Sequence, residues 1–336
     1  MHTYPASSTA GLNTSNLTTL YFTVRQDDTL KMPEHSGSML RGAFGVALRS
    51  LTCITELTEC GHCPLKQHCK FPRLFENPAL QMAGIQAVNP YVIHVPAPLQ
   101  QSLTYKKGDI WHFGMTLMGA AVHETNLIIK AWQLALQTGL GAHTPYRRAR
   151  LLQVTADGQV LYSASKTLIN SIDKPTATAL EQQLALDSPT RLTLKFLTPF
   201  RYQQNNHIIS RPDQLDSVTF IASLYNRIRL CQDNHSPNQR WDIGYDDYHE
   251  FKADIATLDI TVDVAANHVA RRSNRQQRKM QLYGLQGDIH LTGDRHTLHR
   301  LLPALQLGER LHIGKNTTMG LGQYQLKLTT VDTLKQ

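Results

Sequence analysis

The chain lacks the features that would assign it to several common classes. It has no run of 18 or more apolar residues, so no segment is long enough to cross a bilayer as a helix. Its start, "MHTYPASSTAGLNTSNLTT", has neither the cationic nor the apolar region of a secretory signal. Residues 1–17 offer so little to bury that a flexible tail is expected there. A soluble, cytoplasmic protein with no membrane partner follows as the expectation. There is no G-x-x-x-x-G-K-[ST] loop and no G-x-G-x-x-G between a strand and a helix, which excludes the familiar nucleotide cradles. Acidic residues are the scarcer charge: 26 Asp and Glu against 34 Lys and Arg leave a formal net charge of +8, and 16 His can add to it beside an anion. That balance favours a polyanionic partner.

Cysteine is also sparse, yet four of the 5 fall together as C-x6-C-x2-C-x5-C, at Cys53, Cys60, Cys63 and Cys69. In a reducing compartment such clustering suits a metal better than disulfides, because four thiolates complete a tetrahedral zinc shell. His62 and His68 lie within the knuckle and could replace a cysteine. An iron–sulfur cluster and a set of free thiols are the alternatives. Cys231 stands alone in an apolar helical stretch and is expected in the core.

With 336 residues the chain can hold two domains, each with its own core. Periodicity predicts a strand over 18–26, a helix over 36–51 with Ser36 as its cap, strands over 90–96 and 108–119, a helix over 123–141, and a hairpin over 148–163 turning at Asp157-Gly158. After a polar stretch at 164–189, the order repeats: strand 190–202, helix 216–232, strands 256–264 and 279–293, helix 295–309, strand 320–331. Two successive β-α-β-β-α-β units predict an α+β protein of tandem ferredoxin-like, RRM-like domains, 18–165 and 190–336, with the cysteine knuckle inserted at 53–69.

The segment "HIGKNTTMGLGQYQL" (312–326) joins the last predicted helix to the last strand. Its glycines Gly314, Gly320 and Gly322 suit either a tight turn or the close approach of backbone N–H groups to an anion, and Lys315 adds a point charge. The run "RRSNRQQRK" (271–279) carries five cations and no acid, so a projecting hairpin there would meet the phosphates of an RNA stem. Arg271, Arg272 and Arg275 are its candidate contacts, "YRRAR" (146–150) is a weaker basic cluster, and a solvated loop is the alternative for both.

These residues resemble a known family. Tandem ferredoxin-like order ending in Gly, five residues and Gly-x-Gly, here "GKNTTMGLG" (314–322), is similar to the RAMP superfamily of CRISPR-associated proteins. The stretches "MLRGAFGVALRSLTC…CGHCPLKQHCKFPRLFE", "RRSNRQQRKMQLYGLQGDIHLTG" and "LLPALQLGERLHIGKNTTMGLGQYQL" look like the cysteine-bearing branch of its repeat-RNA endoribonucleases. The resemblance implies a metal-independent enzyme that cuts CRISPR precursor transcripts within each repeat. There the ribose 2′-OH attacks the adjacent phosphate, giving a guide RNA and a 2′,3′-cyclic phosphate. It also implies repeat or guide RNA, and other CRISPR effector subunits, as partners. No cofactor is needed for cleavage, and zinc would be structural.

Such chemistry needs a general base, a cation or acid for the leaving oxygen, and a held backbone. His35 leads the candidates, in a polar loop beside Lys31; His312, abutting the glycine loop, is the second, with His62 and His68 as rivals in the knuckle. Tyr21 on the first strand could orient a base or pack in the core. Arg41, in "RGAFG" of the first helix, could contact RNA or serve helix packing where Gly42 and Gly45 permit close approach. The RAMP resemblance leaves open a second function, a non-catalytic subunit that clamps guide RNA. RRM-type stacking aromatics are not found on the sheets.

Overall fold

A computed structural model describes residues 16–55, 57–76, 87–96, 104–141, 147–165, 190–273 and 278–330. Residues 1–15 of the predicted 1–17 tail and most of the predicted 164–189 connection lie outside these, while Leu17 belongs to the first strand. Two compact units divide the chain: Thr14–Ser171 with Leu230–Arg240, and Ile172–Arg229 with Trp241–Gln336.

In the first unit, β1 (Leu17–Gln26) leads through the short β2 (Leu30–Lys31) to α1 (Gly37–Thr52). Then come β3 (Tyr91–His94), β4 (Thr104–Tyr105), β5 (Ile110–Met118), α2 (Thr125–Thr138), β6 (Ala149–Ala156) and β7 (Gln159–Ser163). The sheet order is β3-β5-β1-β6-β7, antiparallel throughout. Along β1 the alternation is direct: Leu20, Phe22 and Val24 are buried, while Tyr21, Thr23 and Arg25 are half-buried on the other face. Phe22 stacks on Phe113 with ring centroids 4.6 Å apart, and Trp132 from α2 closes on Phe113 at 4.6 Å and on Phe44 of α1 at 5.1 Å. Such a buried aromatic contributes roughly 1.5–3 kcal/mol by area alone, and Trp132→Ala would cost about 3–5 kcal/mol with its cavity.

Two local predictions change here. Ser36 does not cap α1 with its side chain: its backbone is already helical (φ −69°, ψ −16°) and its buried hydroxyl has no partner. The predicted helix at 123 begins instead as a tight turn over Gly119–Glu124, and α2 starts at Thr125. The hairpin turn matches its chemistry, with Asp157 at φ 47° and Gly158 at φ 79°.

In the second unit, β8 (Thr190–Phe196), the two-residue strands β9 (Gln203–Gln204) and β10 (His207–Ile208), α3 (Ser217–His235, whose residues from Leu230 on fall in the first unit) and α4 (Tyr248–Ala256) come first. They are followed by β11 (Asp259–Ser273), β12 (Arg278–Thr292), α5 (Arg295–Leu311) and β13 (Tyr324–Thr330). The order β11-β12-β8-β13 has the same antiparallel plan as the inner strands of the first sheet, so both units are ferredoxin-like.

Three differences from periodicity have physical causes. Strand β8 stops at Phe196, short of the predicted 202, because Pro199 has no N–H for a ladder and Phe200 bridges instead to Leu285. Helix α4 was not anticipated; Asp247 caps it, accepting from His249 N at 2.8 Å and Glu250 N at 3.1 Å. Strand β11 runs far past the predicted 264. It pairs with β12 from Asp259↔Thr292 to Ser273↔Arg278, whereas β8 meets β12 only over Asp288–Thr292. The hairpin therefore extends well beyond the four-stranded sheet, and the basic run lies at its far end.

Candidate functional site

The glycine segment follows α5. His312 N bonds back to Gly308 O at 2.8 Å, and His312 itself turns to φ 56°. Gly314 (φ 86°), Asn316 (φ 64°), Gly320 (φ 77°) and Gly322 (φ 69°) continue in left-handed or related conformations. A Cβ at Gly322 would stand 1.9 Å from Ile313 O, and one at Gly314 2.6 Å from Arg201 O. The glycines thus serve close backbone packing. Lys315 N donates to Arg201 O at 2.8 Å, Gly320 N to Thr317 O at 2.9 Å and Gly322 N to Pro199 O at 2.9 Å, so these amides are used within the protein. Thr198 stitches the segments from below, donating to Gly320 O at 2.7 Å and accepting from Gln323 N at 2.9 Å.

What faces outward is charge. Lys315 is exposed, and two half-buried arginines absent from the sequence-based candidates flank the loop. Arg201 donates through Nη1 to Asn316 Oδ1 at 3.2 Å; Arg227 donates through Nη2 to Leu311 O at 3.2 Å and Thr317 Oγ1 at 2.8 Å. The Nε of each is buried without a hydrogen-bond partner, and neither guanidinium has a carboxylate partner among the described residues. Three cations around a compact turn, none neutralised by a carboxylate, favour an anion. Arg201 lies 115 residues from Asn316, and Arg227 lies 90 from Thr317, so no local spacing could have announced them.

His312 does not join this surface. It is wholly buried at the helix end, presenting no atom to solvent, which fits packing rather than proton transfer. His35, in the first unit, precedes α1. Its side chain is 11% exposed, lies 3.9 Å from Glu34 Oε1, and leaves Nε2 without a hydrogen-bond partner. Burial lowers its pKa from the ordinary 6.5, only partly opposed by Glu34, so the imidazole is neutral at neutral pH. Lys31 is exposed on β2, paired with Thr104 of β4. Tyr21 is opposite Gly114 and Thr155 on the half-buried face of β1.

The same face carries polar pairs that sequence reading did not select. His94 and Thr116 share a hydrogen bond of 2.7 Å, Thr116 and Thr19 one of 2.9 Å, and His112 and Thr23 one of 3.2 Å. The second sheet repeats the last pair at its own first and third long strands, Thr193 with His290 at 2.8 Å.

Arg41 is occupied in packing. Its guanidinium lies 4.1 Å over the ring of Phe75, and a Cβ on Gly45 would meet that ring at 2.4 Å, so Gly45 admits a side chain rather than a backbone. Gly42 faces open space. Arg275 lies outside the described residues, and Arg271 and Arg272 are placed by strand pairing alone, opposite Met280 and Lys279.

Cys53, Cys60, Cys63 and Cys69 all line one cavity of about 240 Å³, with His68 at its rim and His62 exposed. Thr55 Oγ1 stands 3.9 Å from Cys53 Sγ and 3.7 Å from Cys63 Sγ, and burial pushes the Cys60 thiol up, with Glu76 adding to it. The donor set is one a zinc ion takes, but among the described residues no three His, Cys, Asp or Glu side chains are gathered closely enough to hold an ion. Cys231 is buried in the core.

Residues 194–324, which contain the whole glycine loop, match the family model of the CRISPR-associated endoribonuclease Cas6; residues 14–174 match that of the AF_1859_N N-terminal domain. The match to the Cas6 endoribonuclease model thus covers the C-terminal part of the chain. No curated protein matches it. Among solved structures, the chain is similar to a partial Cas6-RT-Cas1–Cas2 complex at 15% identity and TM-score 0.52, covering 94% of this chain and 46% of that one. A second Cas6-RT-Cas1–Cas2 complex gives 15% identity and TM-score 0.52, with 94% of this chain and 29% of that one covered. The chain thus spans less than half the length of either solved chain, and at this identity the likeness concerns the fold.

Proposed function

We propose that this chain is an RNA-cleaving enzyme that processes CRISPR repeat transcripts. The observation that carries the reading is the Cas6 family match over 194–324, which ends on the glycine loop, where Lys315 and the adjoining Arg201 and Arg227 have no carboxylate partner among the described residues. The reaction we assign is intramolecular. The ribose 2′-OH attacks the adjacent phosphorus, the bond to the 5′-oxygen breaks, and a 2′,3′-cyclic phosphate and a 5′-OH remain. RNA supplies its own nucleophile, so a base and positioned cations suffice, and we assign no metal to the step.

His35 is our candidate base. Its neutral imidazole would accept the 2′-OH proton at Nε2, which is buried without a hydrogen-bond partner in the free protein and must be uncovered as RNA binds, and the resulting imidazolium or a water it orients returns a proton to the leaving oxygen. Lys31, and Tyr21 as an orienting hydroxyl, are its proposed companions. The far end of the β11–β12 hairpin, with Arg271, Arg272 and Arg275, is the proposed contact for an RNA stem, and Arg41 is set aside from direct contact by its Phe75 packing. The complexes named for the two similar structures support proposing CRISPR protein partners as well. We further propose that Cys53, Cys60, Cys63 and Cys69 hold a structural zinc, which would fix the knuckle on α1 and take no part in cleavage.

The deciding experiment is incubation with repeat RNA from the protein's own locus, with and without chelator, followed by analysis of the product ends. A cyclic phosphate formed equally well in chelator is expected. Tight binding with intact RNA in every buffer would instead favour the clamp.

A further inference from the structure

One cavity in the first unit, of about 430 Å³, lies apart from the glycine loop, the knuckle and His35, and takes in Arg150, the last residue of the YRRAR cluster. It is lined by Arg25 of β1, Arg150 of β6, Tyr162 of β7 and, from α2, Gln133 and Gln137. Its size falls within the range of small-molecule sites.

The lining is unusual in what it leaves unused. Arg25 and Arg150 are direct cross-strand partners, an arrangement of like charges that destabilises an antiparallel pair. Arg150 is partly compensated, its Nε donating to Asp27 Oδ2 at 2.9 Å, which leaves its outer nitrogens available. Arg25 has no hydrogen-bond or ion-pair partner among the described residues. The same holds for the amides of Gln133 and Gln137 and the hydroxyl of Tyr162. A bulge between Thr23 and Val24 sets the register that brings the two arginines opposite each other. Bulges of this kind re-aim side chains and recur beside binding sites.

From this geometry we infer that the cavity is a subsite for one unpaired, phosphate-bearing nucleotide of the RNA. Two guanidiniums suit a phosphate, by charge and by their forked donors. Gln133 and Gln137 stand one helical turn apart, so their amides offer donors and acceptors side by side for a base edge. Tyr162 supplies a ring for stacking. A base inside a duplex exposes neither its pairing edge nor its face to such a pocket, so the nucleotide must be unpaired. The inference rests on the RNA reading proposed above, and it adds the unpaired segment to what the enzyme recognises.

The test compares wild-type protein, Arg25→Gln and the double variant Gln133→Ala/Gln137→Ala, each checked by thermal melting. Two RNAs are used, the full repeat with its unpaired flanks and the same hairpin trimmed blunt. Affinities are measured over a salt series, and inorganic phosphate and the four nucleoside monophosphates are titrated separately. For Arg25→Gln we expect about a tenfold loss on the flanked RNA, a salt slope smaller by about one, no loss on the blunt hairpin, and an unchanged cleavage rate at saturation. The glutamine double variant should lose affinity for the flanked RNA with its salt slope kept. Equal losses on both RNAs, or none, would overturn the inference. Nucleotide binding that vanishes in Arg25→Gln while RNA affinity holds would assign the pocket to a free nucleotide and overturn it as well. Failure of wild-type protein to bind either RNA would sink the repeat-RNA reading itself, and loss or retention of nucleotide binding in Arg25→Gln would still decide the pocket's chemistry.

Discussion

Arg227 Nη2 reaches both Leu311 O, at 3.2 Å, and Thr317 Oγ1, at 2.8 Å, so one guanidinium of α3 ties the end of α5 to the glycine loop that follows it. Its removal would free a helix-terminal carbonyl and a buried threonine hydroxyl together, at about 1–3 kcal/mol for each group left unsatisfied. Arg227→Ala should therefore lower RNA affinity about tenfold or more by loosening the loop. Arg227→Lys should not restore it, because both bonds come from the single nitrogen Nη2, and the shorter lysine side chain does not carry its ammonium to that point. Equilibrium binding of the three proteins to one repeat RNA checks this, and full rescue by lysine would show that charge alone matters there.

Gly322 is the position where the loop tolerates least. Its φ is 69°, and any Cβ would sit 1.9 Å from Ile313 O, against backbone that cannot swing aside as a side chain would. Left-handed strain alone costs ~1–2 kcal/mol, and the clash adds to it, so Gly322→Ala should lose at least ~2 kcal/mol of stability. Chemical denaturation of the purified variant measures this directly. Gly42→Ala, which meets open space in α1, is the control and should be neutral or slightly stabilising.

The elements set by local chemistry were legible before any coordinates. The apolar alternation of β1, the hairpin at Asp157-Gly158 and the repeated β-α-β-β-α-β order are each written in neighbouring residues. Helix α4 was not, because nine residues with no strong apolar face depend on Asp247 and on burial of Phe251 and Ile255. Nor was the reach of β11, whose outer half satisfies its backbone against β12 without any sheet neighbour to enforce alternation. At the site, the glycines and Lys315 were visible as a motif, but Arg201 and Arg227 reach it from distant segments through tertiary hydrogen bonds. Burial removed His312 from the candidate bases, and burial is a property of the whole fold.

The knuckle proposal concerns metal content. Four thiols lining one cavity beyond α1 should take up about one zinc per chain, and binding should stabilise the first unit because the ion binds the folded knuckle and not the unfolded chain. Elemental analysis of untagged protein measures the content, and thermal melting after chelation measures the coupling. A brown, iron-containing preparation or metal-free protein that melts at the same temperature with added zinc would overturn the assignment.

Glu309 gives a stability signature independent of catalysis. Its carboxyl accepts from Leu326 N at 2.7 Å, and burial raises its pKa from 4.5 to about 8, so it is mostly protonated in the fold at neutral pH. With the folded pKa above the unfolded value, its favourable contribution is complete below about pH 4.5 and is lost progressively as pH rises through about 8. The melting temperature should fall as pH rises from about 4.5 to about 8 and level off above that, and Glu309→Gln should flatten that slope while keeping the acceptor. An unchanged slope in the variant would place the titration elsewhere.

The chemical proposal stands or falls on His35. Removing one acid–base group costs on the order of 10²–10⁴-fold in rate, so His35→Ala should cleave repeat RNA more slowly by that order with affinity nearly kept. Burial holds its pKa below 6.5, and the base must be unprotonated to act. The single-turnover rate should therefore climb with pH through a midpoint that lies below the ordinary histidine value. His312, sealed inside at the end of α5, provides the contrast: His312→Ala should lose stability through its packing while the folded fraction cleaves with the wild-type pH profile. Measuring both variants across pH separates the two residues. A wild-type profile in His35→Ala would remove it from the reaction and direct the search for the base to the histidine–threonine pairs on the sheet face, beginning with His112, whose pKa is likewise lowered by burial.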